Sequence, residues 1–182
     1  EIYMGDWSSD VCSSDLSLGL EWMLTGALAS AYHAEPRMTS DIDLVVDLDT
    51  VRPDTIERAF EAEYYIPERG LREGLETGTM FSVLHIETGI KVDFVPLRET
   101  AFPQAAMARR QQIALYGNPV WLISLEDLVV AKLVWANDTG SELQLRDIRG
   151  LLAKPHDRAY IESWVGRLGL RTIWHIATKF EK

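Results

Sequence analysis

Cysteine is nearly absent from this chain of 182 residues. Its one thiol, Cys12, has no partner for an internal disulfide, so a reducing cytoplasm is the expected setting. Long apolar runs are absent too. None reaches the roughly eighteen residues of a membrane span, so neither a transmembrane segment nor a membrane partner is expected. Basic residues are scarce, with 18 Lys and Arg against 28 Asp and Glu, a formal charge of −10 and a pI near 4.8. That balance argues against broad, non-specific nucleic-acid binding, which needs a basic surface, but leaves room for one RNA docked on a local basic patch. The four histidines, His33, His85, His156 and His175, are scattered without metal-ligand spacing. What remains is 47% apolar and 25% charged, an ordinary globular composition.

Residues 1–16 are polar, rich in Ser and Asp, and lack both helix and strand period. The stretch from Asp6 to Leu16 resembles the translation of a common sequencing adapter, which would make it non-native; the alternative is a disordered native tail. It carries four acids (Glu1, Asp6, Asp10, Asp15) and no Lys or Arg, so four units of the negative charge sit there.

Structure is expected from about Leu20 onward. Glu21–Thr25 reads as a strand, and Gly26 opens a small-residue helix over Ala27–Ala34 that Pro36 stops. Asp41–Leu48 alternates as a strand, and a helix follows from Pro53 through Thr55–Glu63. Residues 66–79, with three Gly and one Pro, read as loop. Met80–Glu87 and Ile90–Leu97 suggest a hairpin around Thr88-Gly89, residues 101–112 a helix, and Gly117-Asn118 a second hairpin turn. Ser124-Leu-Glu-Asp127 resembles a capping box for a helix over Leu125–Asn137, and Ser141 is placed to cap Glu142–Ala153. Two more helices are expected near 157–168 and 171–180. The fold class is α/β (α+β): a small mixed β-sheet with helices packed on it over 17–123, and a C-terminal helical portion over 124–182.

Asp41 and Asp43 stand two apart on one predicted strand, so both carboxylates share a face while Ile42 and Leu44 take the other. Adjacent anions repel unless a cation or water screens them, and magnesium accepts oxygen ligands while keeping several waters. Asp93, between Val92 and Phe94, repeats the pattern on another predicted strand. The plain alternative is solvated strand carboxylates, the reading given to Asp47 and Asp49. Gly26 shifts the balance, because a glycine between strand and helix turns backbone amides toward a phosphate.

Leu-Thr25-Gly26-Ala27, then Pro36-Arg37-Met-Thr39-Ser40-Asp41-Ile-Asp43-Leu, then Val-Asp93-Phe together resemble the signature of the DNA polymerase β-like nucleotidyltransferase superfamily. The Arg-x-Thr-x-Asp-x-Asp arrangement is similar to the branch of AbiEii-type toxins and related bacterial proteins. The resemblance spans roughly residues 20–153 and implies a metal-dependent enzyme with a nucleotidyltransferase core. Two magnesium ions, with manganese as a substitute, would be held by Asp41, Asp43 and Asp93. An NTP would lie against Thr25, Gly26, Ala27, Arg37 and Ser40. Ala27 departs from the Ser or Gly usual at its position and removes a hydroxyl contact to the triphosphate.

Lys132 lies on or beside the apolar stripe Leu125, Leu128, Val129, Leu133 and Ala136, and Asp147 lies between Leu143 and Leu151 in the next helix. An inward charge costs roughly several kcal/mol unless paired or facing a polar cleft. Two readings stay open: the helices line a site, or Lys132 and Asp147 form a structural ion pair. The resemblance implies active-site roles for both. Arg109-Arg110 and Arg146/Arg149 are read as solvated or RNA-touching; Trp121, Trp135, Trp164 and Trp174 are read as core. The resemblance also implies transfer of a nucleoside monophosphate to an RNA 3′ end such as tRNA, or to a protein, in a toxin–antitoxin or phage-defence pair with an antitoxin partner. The alternatives are a small-molecule acceptor, as in antibiotic nucleotidyltransferases, or a binding module of this fold that has lost catalysis.

Overall fold

The computed structural model describes residues 19–34, 39, 41–49, 51–115 and 117–179. The expectations placed on residues 1–16, Pro36, Arg37 and Ser40 lie outside them. The elements are β1 (Trp22–Thr25), α1 (Gly26–His33), β2 (Asp41–Val46), α2 (Pro53–Phe60), β3 (Tyr64–Tyr65), α3 (Glu68–Thr77), β4 (Phe81–His85), β5 (Lys91–Pro96), α4 (Ala101–Ala108), β6 (Gln111–Leu115), β7 (Asn118–Leu122), α5 (Leu125–Thr139), α6 (Glu142–Leu152), α7 (Arg158–Arg167) and α8 (Arg171–Thr178). The seven strands form one mixed sheet in the order β3-β4-β5-β2-β1-β7-β6. In it β2 lies parallel to β5 and antiparallel to β1. This is the mixed sheet with helices that the sequence led us to expect, and four helices follow the last strand.

Alternation in β2 decides the layering. Ile42, Leu44 and Val46 are buried on one face, and Asp41, Asp43 and Val45 are half-buried on the other. The apolar face is closed by aromatic packing: Phe94 of β5 stacks on Phe81 of β4 with centroids 5.2 Å apart, and Phe60 of α2 meets Phe94 edge-on at 5.5 Å. Each ring so buried contributes on the order of 2–3 kcal/mol. The core runs on without interruption into α5, α6 and α7 through Leu128, Leu133, Ile148, Leu151 and Ile161.

The structure corrects the expectation of a loop at 66–79. Residues 68–77 form α3, with buried Leu71 facing the core. The glycines that suggested a loop have other duties. Gly78 ends the helix at φ +64, the usual left-handed stop. At Gly74 a Cβ would come within 2.8 Å of the Phe81 ring, so its bare backbone is what lets α3 lie against β4. Within 101–112 the helix stops at Ala108 and β6 begins at Gln111. The β4–β5 connection is longer than a two-residue turn: it runs over 86–90, closed by the amide of His85 donating to the Ile90 carbonyl at 2.8 Å.

The start of α5 is held by a buried polar knot. Ser124 caps the helix, accepting from the Asp127 amide at 3.2 Å, while its hydroxyl donates to Asp127 Oδ2 at 2.6 Å. Asp127 is 0% exposed and also accepts from Arg109 Nε at 3.1 Å and from the Tyr160 hydroxyl at 2.6 Å. Burial and the Asp127 carboxylate push the Tyr160 phenol up to about 12. The knot ties α4, α5 and α7 together and fixes the helix that carries Lys132. Asp127→Ala is expected to lower stability by about 2–4 kcal/mol, because Arg109 and the two hydroxyls lose a shared acceptor. Urea denaturation checks this; a loss below about 0.5 kcal/mol, the range of an ordinary surface change, would show that the knot holds nothing.

Candidate active site

Strand register brings the sequence-predicted acids together. Across the parallel pair Asp43 stands level with Asp93 and Asp41 with Lys91. On the outer neighbours, Thr25 is level with Asp43 and Ser82 with Asp93. One row therefore crosses four strands as Thr25, Asp43, Asp93 and Ser82, with Asp41 and Lys91 one step along. All of these except Ser82 floor a cleft of about 520 Å³, roofed by Leu128, Ala131 and Lys132 of α5, a volume within the ~300–1,000 Å³ usual for small-ligand sites.

Asp43 is the crowded member. Its carboxyl is pushed above the usual carboxylate range of 3.8, first by burial and then by the neighbouring Asp93 charge; the Ala27 amide, which donates to it, and the Lys132 charge oppose the shift. Gly26 is fixed by this arrangement. Its φ is +65, and a Cβ there would fall 1.8 Å from Asp43 Oδ2. The glycine is thus needed for the turn and also for the space that the carboxylate fills. The Ala27 amide, expected to face phosphate, is directed at Asp43.

Asp93 is 4% exposed and accepts from the Ser82 hydroxyl at 2.6 Å and from Lys91 Nζ at 2.7 Å. The same ammonium lies 3.9 Å from Asp41 Oδ2. Its hydrogen bond to Asp93 holds the Lys91 proton above the ordinary lysine range. Sequence reasoning missed Lys91, although it stands two residues before Asp93 and so shares its face, the same rule that paired Asp41 with Asp43.

Lys132 is 5% exposed and donates to Asp147 Oδ2 at 2.9 Å and to Gln144 Oε1 at 3.0 Å. The ion pair of the second reading forms, and its lysine end lines the cleft, whose lining residues do not include Asp147. Gln144 was missed because a polar residue near the start of a helix is common in any sequence. The expectation that Trp135 belongs to the core is corrected. It is 51% exposed and, with Met80 (47%) and Leu143 (42%), lines the cleft. It sits three residues after Lys132, so the helix turn that aims the lysine aims the indole as well. Trp164 is buried as expected. Arg109 is engaged with Asp127 and Arg110 lies over the Trp121 ring at 4.8 Å, so this pair is not simply solvated.

The donor set suits a hard divalent cation: three carboxylates on one face, of which Asp43 is strained in its charged form by burial and by Asp93. Among the described residues, no three His, Cys, Asp or Glu side chains already converge on a metal-sized point. An ion that keeps several waters does not need such a cage.

No protein-family model matches the chain, and no curated protein does. Solved structures do. The antibiotic-resistance factor ANT(2'')-Ia, in its solution structure, superposes with a TM-score of 0.61 at 14% identity, covering 96% of each chain. An antigenic nucleotidyltransferase-like protein from Paracoccidioides brasiliensis gives 0.55 at 18%, covering 95% of this chain and 91% of that one. The lincosamide antibiotic adenylyltransferase LnuA, with lincomycin bound, gives 0.51 at 15%, covering 78% and 91%. The fold is nucleotidyltransferase-like.

The raised carboxyl of Asp43 has a consequence for stability. Between 3.8 and the raised value the folded chain holds more protons than the unfolded one, so stability falls as pH rises through that window. The penalty is whole above the window and absent below 3.8. Asp43→Asn should therefore melt above wild type at pH 7 in metal-free buffer, with the gap closing as pH drops toward 3.8. A variant no more stable than wild type at pH 7 would show that this charge is not strained.

Proposed function

We propose that the chain transfers a nucleoside monophosphate from an NTP to a hydroxyl acceptor. The observation that carries this is the level placement of Asp43 beside Asp93, with Asp41 one step along, in a cleft that also presents the Gly26 turn. Asp41, Asp43 and Asp93 would hold the divalent metal, magnesium in the first instance, two ions being expected. Bound there, the metal would neutralise phosphate charge and lower the pKa of the acceptor hydroxyl. The acceptor oxygen forms a bond to the α-phosphorus, the bond from that phosphorus to the β-phosphate oxygen breaks, and pyrophosphate leaves with the electron pair. Asp93 is assigned the acceptor proton; the Ser82 hydroxyl, donating to its Oδ1, fixes the orientation of the carboxylate. Lys132, held by Gln144 and Asp147, contributes a fixed positive charge at the cleft wall for the triphosphate. Thr25, Gly26 and Ala27 border the phosphates at the start of α1; Arg37 and Ser40 are assigned to them from the sequence likeness.

For the acceptor, the likeness of Arg37–Asp43 to AbiEii-type toxins supports an RNA 3′ end or a protein, with an antitoxin partner. A second reading, a small-molecule acceptor, is favoured by the half-exposed apolar wall of Met80, Trp135 and Leu143 beside the carboxylates. Of the similar folds, one is an antibiotic-resistance factor and another a lincosamide antibiotic adenylyltransferase, which supports testing that class.

The test supplies each α-labelled NTP with magnesium to total bacterial RNA, to protein and to a panel of antibiotics. Label is expected in one acceptor class, and Asp43→Asn is expected to reduce it on the order of a thousandfold or more while remaining folded. Transfer that persists in the variant would remove the catalytic assignment. No label with any acceptor would favour the binding module.

A further inference from the structure

Lys91 holds a position at odds with a metal centre at Asp41, Asp43 and Asp93, and the role inferred for it rests on that proposed centre. Its ammonium is 2.7 Å from Asp93 Oδ2 and 3.9 Å from Asp41 Oδ2, so it touches two of the three acids assigned to the ion. The contact follows from the fold: residues 91 and 93 share a strand face, and Lys91 stands level with Asp41. Nearby, Asp43 bears charge that burial and Asp93 make costly. The lysine supplies the missing positive charge.

An ammonium donating to these oxygens and a divalent cation seeking the same lone pairs exclude one another, through shared acceptors and through like-charge repulsion. The Lys91 side chain is 38% exposed, so its head can turn to water on its flexible stem without crossing the core. We propose that Lys91 is an intramolecular competitor of the metal. It neutralises the carboxylate cluster in the metal-free chain, it is displaced when a divalent cation binds, and it thereby sets the concentration at which the site fills. This differs from a structural ion pair, whose removal would loosen the cluster and weaken metal binding.

The test titrates the full chain, stripped with chelator, with manganese chloride alone and follows bound Mn2+ by electron paramagnetic resonance. Wild type, Lys91→Met, Lys91→Gln and Asp43→Asn run in parallel. Lys91→Gln keeps a donor for Asp93 and stands in if the Met variant does not fold. Both Lys91 variants are expected to bind Mn2+ on the order of tenfold more tightly than wild type. They should melt lower than wild type without metal and recover when Mn2+ is added. Equal or weaker binding by both, with wild-type binding lost in Asp43→Asn, would overturn the competition and leave the metal centre standing. No Mn2+ bound by any of the folded proteins would overturn both.

Discussion

Two carboxylates held level on neighbouring parallel strands dominate this molecule's local design. Asp43 and Asp93 cannot move apart without breaking the register of β2 with β5, which the buried side chains on the opposite face fix. Their repulsion therefore has to be met by what surrounds them. Ser82 and Lys91 answer Asp93, the Ala27 amide and Lys132 answer Asp43, and Gly26 stays bare so that the carboxylate has somewhere to go. Each of these is a local response to one crowded pair. Together they draw five strands or helices to a single point.

The cleft above the pair has two characters. Its floor is charged and its rim is apolar, and α5 adds one group of each kind from above, Lys132 and Trp135. The helix can do so because its start is fixed by Ser124, Asp127, Arg109 and Tyr160, and its cleft-lining lysine by Gln144 and Asp147. Polar groups buried at both places raise the stakes of misplacement, since each would be left unsatisfied by a shift of the helix. A helix held at both places makes a wall of fixed shape above the charged floor.

Most of this was legible in the sequence where one physical signal dominated. Alternation gave β2 and the shared face of Asp41 and Asp43; capping chemistry gave the start of α5; stripe position flagged Lys132 and Asp147. The failures have causes as particular. Helix α3 hid behind Gly70, Gly74 and Gly78, residues that suggest a loop until Phe81 and the helix stop explain two of them. Lys91 was passed over because a lysine on a strand is expected to face water, although its spacing from Asp93 placed it in the cluster. Trp135 was assigned to the core on hydrophobicity alone, whereas its exposure depends on how α5 and α6 meet the sheet, a tertiary fact without a local signature.

The close approach of Gly26 to Asp43 ties the two positions together from one side. A side chain at 26 and an acid at 43 compete for one volume. Shortening residue 43 to alanine would remove two of the clashing atoms and keep the third, its own Cβ, 2.8 Å from a side chain at 26, and the backbone's positive φ would still resist one. The glycine therefore answers to the backbone path of β2 as well as to the acid that strand carries. Loss of the acid alone would not release position 26, whereas a side chain at 26 would unseat the carboxylate at once.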